Sequence, residues 1–198
     1  MGNSYSKLGA TGYSKDNFMK AFSDNWEWEQ TKESFLETMI MHPDREGGGK
    51  EVKDTGGHTK WGISKRAHPD VDIGNLSKED AKKIYRKEYL HRGEERLGRT
   101  HEAFKFMDME VNMGYKNAMG VLQGALNSLL PEDKKIDEDG GYGEGTKRAI
   151  SFVQNNFPSN MIIDAMIVSQ KKYYNSLPGR DKYGGWKKRA EYNPIKDG

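Results

Sequence analysis

The sequence predicts a mainly α-helical protein, a helical bundle with one small irregular or hairpin insertion that carries polar loops. Three observations support this. Apolar residues recur at helical spacing over most of the chain, as in the Phe18/Phe22, Phe35/Met39 and Leu36/Ile40 pairs. Ser77, followed three residues later by Asp80, is a helix-start signal. Between these regions, PDREGGGKEVKDTGGHTK (43–60) mixes turn residues with short extended stretches, so a small hairpin is expected there.

Taken in order, residues 1–14 are rich in Gly, Ser and Tyr and read as a flexible arm. Asn17 to about His42 reads as helix, with a break expected at Asp24-Asn25. Pro43 ends it, because proline disfavours helix at the residue before it. The helix opened by Ser77 is expected to run through Tyr89. Phe104 to Leu130 is expected to be mostly helical, with Val111, Tyr115, Ala118, Leu122, Ala125 and Leu129 along one stripe. A loop from Pro131 to Gly145 precedes helices over 146–156 and 159–176, punctuated by Pro158 and Pro178.

Composition narrows the function. The 198 residues carry 32 Lys+Arg against 30 Asp+Glu, and the mean hydropathy is −0.97. Four Trp, ten Tyr and seven Phe are nevertheless enough to seed a compact core. With no cysteine, disulfides, thiolate zinc sites and a cysteine nucleophile are excluded. The longest nearly apolar stretch, Met161 to Val168, contains Asp164 and falls far short of the ~20 residues that cross a bilayer. No stable membrane insertion is expected. The first residues lack the apolar run of a signal peptide, although Met1-Gly2 with Ser6 fits a myristoylation pattern. Beyond Lys171 the chain is basic and aromatic. That composition suits either a polyanion surface or a solvated terminal helix packed through its rings. No nucleic-acid partner is expected.

The five histidines form no HExxH pair, and there is no GxSxG elbow. Gly47-Gly48-Gly49-Lys50 lacks the spacing of a phosphate loop. Asp137-Glu138-Asp139-Gly140 has Tyr142 where a calcium loop needs its glycine. No metal or organic cofactor is expected. What remains is Glu46, then Asp54, then Thr59. Cleaving a glycosidic bond needs an acid for the leaving oxygen and a second group to hold water or stabilise positive charge on the ring. A Glu beside apolar helix residues can keep its proton while an Asp in a polar loop stays ionised. Thr59 would position a water between them. Helix capping or turn chemistry by Asp54 before Gly56-Gly57 is the structural alternative.

Glu46-Gly47-Gly48, followed by Asp54-Thr55-Gly56-Gly57-His58-Thr59-Lys60-Trp61-Gly62-Ile63-Ser64, resembles glycoside hydrolase family 108. These are N-acetylmuramidases of phage endolysins and secretion-activator proteins. The resemblance continues through Ala81–Tyr89, Phe106-Met107-Asp108, Asn112-Met113-Gly114, Ala118 and Leu122-Gln123. It goes on through Asp139-Gly140-Gly141-Tyr142-Gly143-Glu144-Gly145-Thr146 and closes at Gly185-Trp186-Lys187-Lys188-Arg189. It implies a lysozyme-like α+β fold with a catalytic segment over 31–100. A helical, peptidoglycan-binding-like half over 101–198 would pack on that segment, and residues 1–30 would be an extension.

The activity implied is hydrolysis of the β-1,4 bond between N-acetylmuramic acid and N-acetylglucosamine. Glu46 would be the acid, Asp54 the water-orienting or charge-stabilising group, and Thr59 its assistant. Asp108 and Asn112, one turn apart, would face the cleft floor or form a buried polar pair. Trp61 or Tyr115 would wall the cleft. Gly114 would admit a close backbone approach, and Gln123 and Thr146 would be cap or packing residues.

Two departures bear on the acid. Pro43-Asp44-Arg45 intervene between His42 and Glu46, and Gly49 stands where the family has Tyr, so Asp44 and Glu51 are neighbouring candidates. The alternatives are a wall-binding or virion structural protein that lost catalysis, and a lytic transglycosylase. Bacterial peptidoglycan is the expected partner, reached from a cytoplasmic site of synthesis. Residues 1–30, with Trp26 and Trp28, would dock on a virion or tail partner or wrap the core.

Overall fold

The computed structural model describes residues 33, 36, 37, 40, 52–54, 57–178 and 190–195. Glu33, Leu36, Glu37 and Ile40 are helical, and Leu36 and Ile40 are fully buried, as their spacing requires. The expectations for residues 1–30, for the segment 41–51 with Glu46 and for Trp186 lie outside the described residues.

Strands β1 (Val52–Asp54), β2 (Gly57–Lys60) and β3 (Ile63–Ser64) form an antiparallel sheet in the order β1-β2-β3. The expected hairpin is the β1–β2 pair, in register at Val52↔Thr59 and Asp54↔Gly57. A second hairpin follows at once, because Lys60 pairs with Ile63 around the two residues Trp61-Gly62. Both central residues have positive φ, 55° and 76°, which is what a tight hairpin turn compatible with strand twist demands. A bulky side chain in that conformation costs about 1–2 kcal/mol relative to glycine.

Ser77 caps the next helix as its sequence signalled: its Oγ accepts from Asp80 N at 3.1 Å and donates to Asp80 Oδ2 at 2.6 Å. Helix α1 (Lys78–Ile84) passes into a π-helical stretch, Tyr85–Leu90, and then into α2 (His91–Leu97). The helix thus runs beyond Tyr89, although HRGEERL has too few apolar residues to show a stripe. It ends only where Gly98 turns left-handed, at φ 66°.

The long helix expected from Phe104 is instead two, α3 (Thr100–Met113) and α4 (Tyr115–Leu129), broken at Gly114 with φ 77° and ψ 157°. Val111 consequently packs with a different cluster from Tyr115, Ala118, Leu122, Ala125 and Leu129. Among the described residues no atom lies within 4 Å of the place a Gly114 Cβ would occupy, so what the structure shows for this glycine is a backbone conformation that favours it. Gly114→Ala should therefore cost about 1–3 kcal/mol in urea unfolding, from backbone conformation alone.

A short 3₁₀ turn (Glu132–Lys134) leads to α5 (Glu144–Asn156) and α6 (Ser159–Ser176). No helix among the described residues is long and apolar enough to cross a membrane.

Two hydrophobic clusters share α3. Phe104 and Met107 pack with Leu36, Ile40, Ile63, Ile73 and Tyr85 beside the sheet. Phe106 and Met109 pack with α4, α5 and α6 through residues such as Leu122, Val153 and Met166. Polar ties on α3 are also buried. Fully buried Lys105 donates to the carbonyls of Tyr192 (2.9 Å) and Ala190 (3.3 Å), pinning the 190–195 segment. Glu102, fully buried, accepts from Gln154 Nε2 (2.6 Å), Ser159 Oγ (2.9 Å) and Arg99 Nη1 (3.4 Å), tying the start of α3 to the α5–α6 junction.

Candidate active site

The antiparallel register decides which hairpin positions share a face. Position 54 stands opposite 57, and 52 opposite 59. Positions 54 and 59 therefore fall on one face of the ladder, while 53 and 58 fall on the other. Ser64 pairs with Thr59 from the third strand. Thr59 is buried, with its Oγ1 3.5 Å from the Gly57 carbonyl, whereas His58 next to it is exposed. Two of the residues singled out in the sequence, Asp54 and Thr59, thus belong to one small sheet, and a third, Trp61, lies in the turn between its second and third strands. Glu46 lies outside the described residues.

Trp61 is the sole non-glycine residue with positive φ among those described. It is half-buried and held at both ends. Its indole Nε1 donates to the Leu76 carbonyl at 3.2 Å, and its own carbonyl accepts from Tyr85 Oη at 3.0 Å. Beside the hairpin, a concavity of about 540 Å³ is lined by Gly57, His58, Lys65, Arg66, Asp72, Ile73 and Gly74. The Asp72 carboxyl there is held below its usual range by hydrogen bonds from Asn75.

Asp108 and Asn112 sit together on α3, as their spacing implied. Asn112 Nδ2 donates to the Asp108 carbonyl at 2.7 Å and lies 3.4 Å from Asp108 Oδ1. Asp108 is only 2% exposed, and its Oδ2 is 3.9 Å from the Lys105 ammonium. Asn112 is half-buried one turn later. Tyr115, just past the Gly114 break, takes a hydrogen bond from Arg96 Nε at 3.1 Å and has the Arg96 and Arg92 guanidinium groups over its ring.

Sequence reasoning passed over several polar groups here. Glu110 is buried and ion-paired with Arg92, and its Oε2 has no hydrogen-bond partner among the described residues. Burial raises its pKa, against the pull of Arg92 and Arg96. Its position one turn after Phe106 on an apolar helix, with no neighbouring cation in sequence, gave little sign of the pair. His68 is buried, with Nε2 3.0 Å from Tyr89 Oη and Nδ1 3.5 Å from Glu88 Oε2. Burial pushes the Tyr89 phenol up to about 12. In the sequence Tyr85 shows only as an apolar-face residue at helical spacing with Ala81 and Ile84, and Tyr89 only as the expected end of that helix.

Farther off, Gln123 organises the loop before α5. Its Nε2 donates to Asp139 Oδ1 and the Gly141 carbonyl, both at 2.9 Å, and its Oε1 accepts from Gly140 N at 2.8 Å. Thr146 Oγ1 completes this knot with a bond to the same Gly141 carbonyl. Among the described residues, no group of three or more His, Asp and Glu is gathered as a metal site.

Residues 39–114 match the family model of Glycosyl hydrolase 108. The match contains Glu46, Asp54, Thr59, Trp61, Asp108 and Asn112 and ends one residue before Tyr115, so the resemblance read from the sequence motifs holds over this segment. The structure of Brucella abortus SagA is similar, with a TM-score of 0.59 at 22% identity, over 84% of this chain and 94% of that one. The mainly α, lysozyme-like α+β fold expected from the sequence is therefore the fold of the chain. No curated protein matches the sequence.

Proposed function

We propose that the chain is a peptidoglycan-cleaving glycoside hydrolase, a muramidase that cuts the β-1,4 bond between N-acetylmuramic acid and N-acetylglucosamine. The observation that carries this reading is the Glycosyl hydrolase 108 match across the whole hairpin and α3. The register that puts positions 54 and 59 on one face supports it. Glu46, six residues before β1 in the sequence, donates a proton to the departing glycosidic oxygen. Asp54 orients the attacking water or stabilises the oxocarbenium-like ring, and Thr59 helps to hold that water. Trp61, Asn112 and Tyr115 contact the glycan, with Asp108 holding Asn112 in place. The carboxylate separation sets whether the anomeric configuration is retained or inverted. The biological setting we propose is that of the phage endolysins or virion-associated lysins of the family resemblance.

Mass spectrometry of borohydride-reduced products from purified peptidoglycan tests this reading. Reduced muramic-acid ends are expected. Reduced glucosamine ends would make the enzyme a glucosaminidase, and 1,6-anhydro ends a lytic transglycosylase. Folded protein that pellets with sacculi yet releases nothing would leave a wall-binding protein, the outcome that the Pro43-Asp44-Arg45 insertion beside Glu46 would explain.

A further inference from the structure

The helix from Lys78 to Leu97 changes character at Tyr85, where six residues wind as a π-helix. That form is rare and concentrates at functional sites. It presents two tyrosines with ring centroids 5.8 Å apart, and each hydroxyl bonds away from its own helix. Tyr85 Oη donates to the Trp61 carbonyl at 3.0 Å, and Tyr89 Oη meets His68 Nε2 at 3.0 Å. The first bond lands on the β2–β3 turn. The second lands on the turn just after β3, where the His68 amide donates to the Ser64 carbonyl. Between these two points runs β3, whose Ser64 pairs with Thr59.

The first landing point is one at which the sheet cannot hold itself. The central residues of a two-residue hairpin contribute no carbonyl to the ladder, and Trp61 adds the strain of a left-handed backbone on a bulky residue. A strained turn persists only where its surroundings over-determine it. Here the surroundings are Tyr85 on the Trp61 carbonyl and Leu76 on the Trp61 indole. Tyr85 is fully buried. If it only filled the core, a phenylalanine would serve, and no buried hydroxyl would need a partner.

The geometry points to Tyr85 and Tyr89 as positioning residues. The π-helical stretch tethers the β2–β3 hairpin at two points and so fixes where Thr59 stands in the cleft. The catalytic consequence rests on the proposed muramidase function, whereas the tether is a property of the hairpin itself.

The test uses Tyr85→Phe, Tyr89→Phe and the double variant in the full chain, with Ile150→Val, in the other hydrophobic cluster, as a control for general loss of stability. Amide hydrogen exchange at Thr59, Ile63 and Lys65, whose amides belong to the ladder, should quicken about tenfold or more in Tyr85→Phe and further in the double variant, while exchange in α5 and α6 stays unchanged. On soluble glycan strands, kcat should fall about 10–100-fold with KM within about twofold, since a displacement near 1 Å is enough for such a loss. Ile150→Val should keep its kcat. Hairpin exchange and kcat in Tyr85→Phe both within about twofold of wild type would overturn the proposal, as would an equal kcat loss in Ile150→Val. If the wild type releases no product from any glycan, the muramidase reading fails, and hydrogen exchange alone still decides whether the tether exists.

Discussion

Glu46→Gln should abolish cleavage, lowering kcat by about 10²–10⁴-fold while the protein still folds and still pellets with sacculi. Gln keeps the size and the acceptor oxygen of Glu but has no acidic proton to give the leaving glycosidic oxygen. The reaction then loses the step that makes the sugar a competent leaving group. Retention of more than about a tenth of wild-type activity would remove Glu46 from the role of general acid. Asp44→Asn and Glu51→Gln serve as companions, because they are the carboxylates flanking Glu46 in the sequence. If one of these loses activity and Glu46→Gln does not, that residue is the acid instead of Glu46.

The second large effect is on stability. Glu102→Ala should lower the unfolding free energy by about 2–4 kcal/mol, because it strips acceptors from Gln154, Ser159 and Arg99 at a fully buried junction. The pH dependence runs in a defined direction. Burial raises the Glu102 pKa above its ordinary value of 4.5, against the pull of its hydrogen bonds and Arg99. The native state then holds this proton more tightly than the unfolded chain does. The stabilisation from that proton is complete below pH 4.5 and is lost as pH climbs through the raised native value. Glu102→Gln cannot titrate. Its stability relative to wild type should therefore improve from pH 4 to pH 8, as measured by parallel urea melts. A constant difference between the two proteins would show that Glu102 titrates normally.

Local chemistry in the sequence explains much of the architecture. Ser77 caps where its partner Asp80 said it would, Pro158 separates α5 from α6, and the expected hairpin forms from Val52–Asp54 and Gly57–Lys60. The misses have physical causes. Gly114 sits inside an apolar periodic run, and periodicity cannot tell a tolerated helical glycine from one that takes a positive φ. Trp61 is no turn former, so the second hairpin was hidden behind a residue whose backbone is held by long-range bonds. A π-helical stretch leaves no compositional trace.

The candidate site was legible to a different depth. Asp54 and Thr59 could be named from their chemistry, but their common face depends on strand register, which a count of residues does not fix. Asp108 and Asn112 were paired correctly by helical spacing, yet the Lys105 ammonium beside Asp108 belongs to a side chain that sequence statistics place at the surface. Arg92 and Glu110 meet across two helices, a contact of the kind no single-helix pattern encodes.

Because α3 gives opposite faces to both hydrophobic clusters, it is a party wall between two rooms. Removing either room exposes one side of a helix whose residues from Thr100 to Glu110 are nearly all buried. The chain is then not divisible into exchangeable cassettes. Protease nicking at a surface loop should liberate no fragment that stays folded, and melting monitored at the sheet and at α6 should give one coincident transition. For engineering, a chimera that swaps only the part after α3 must carry a matching α3 surface with it.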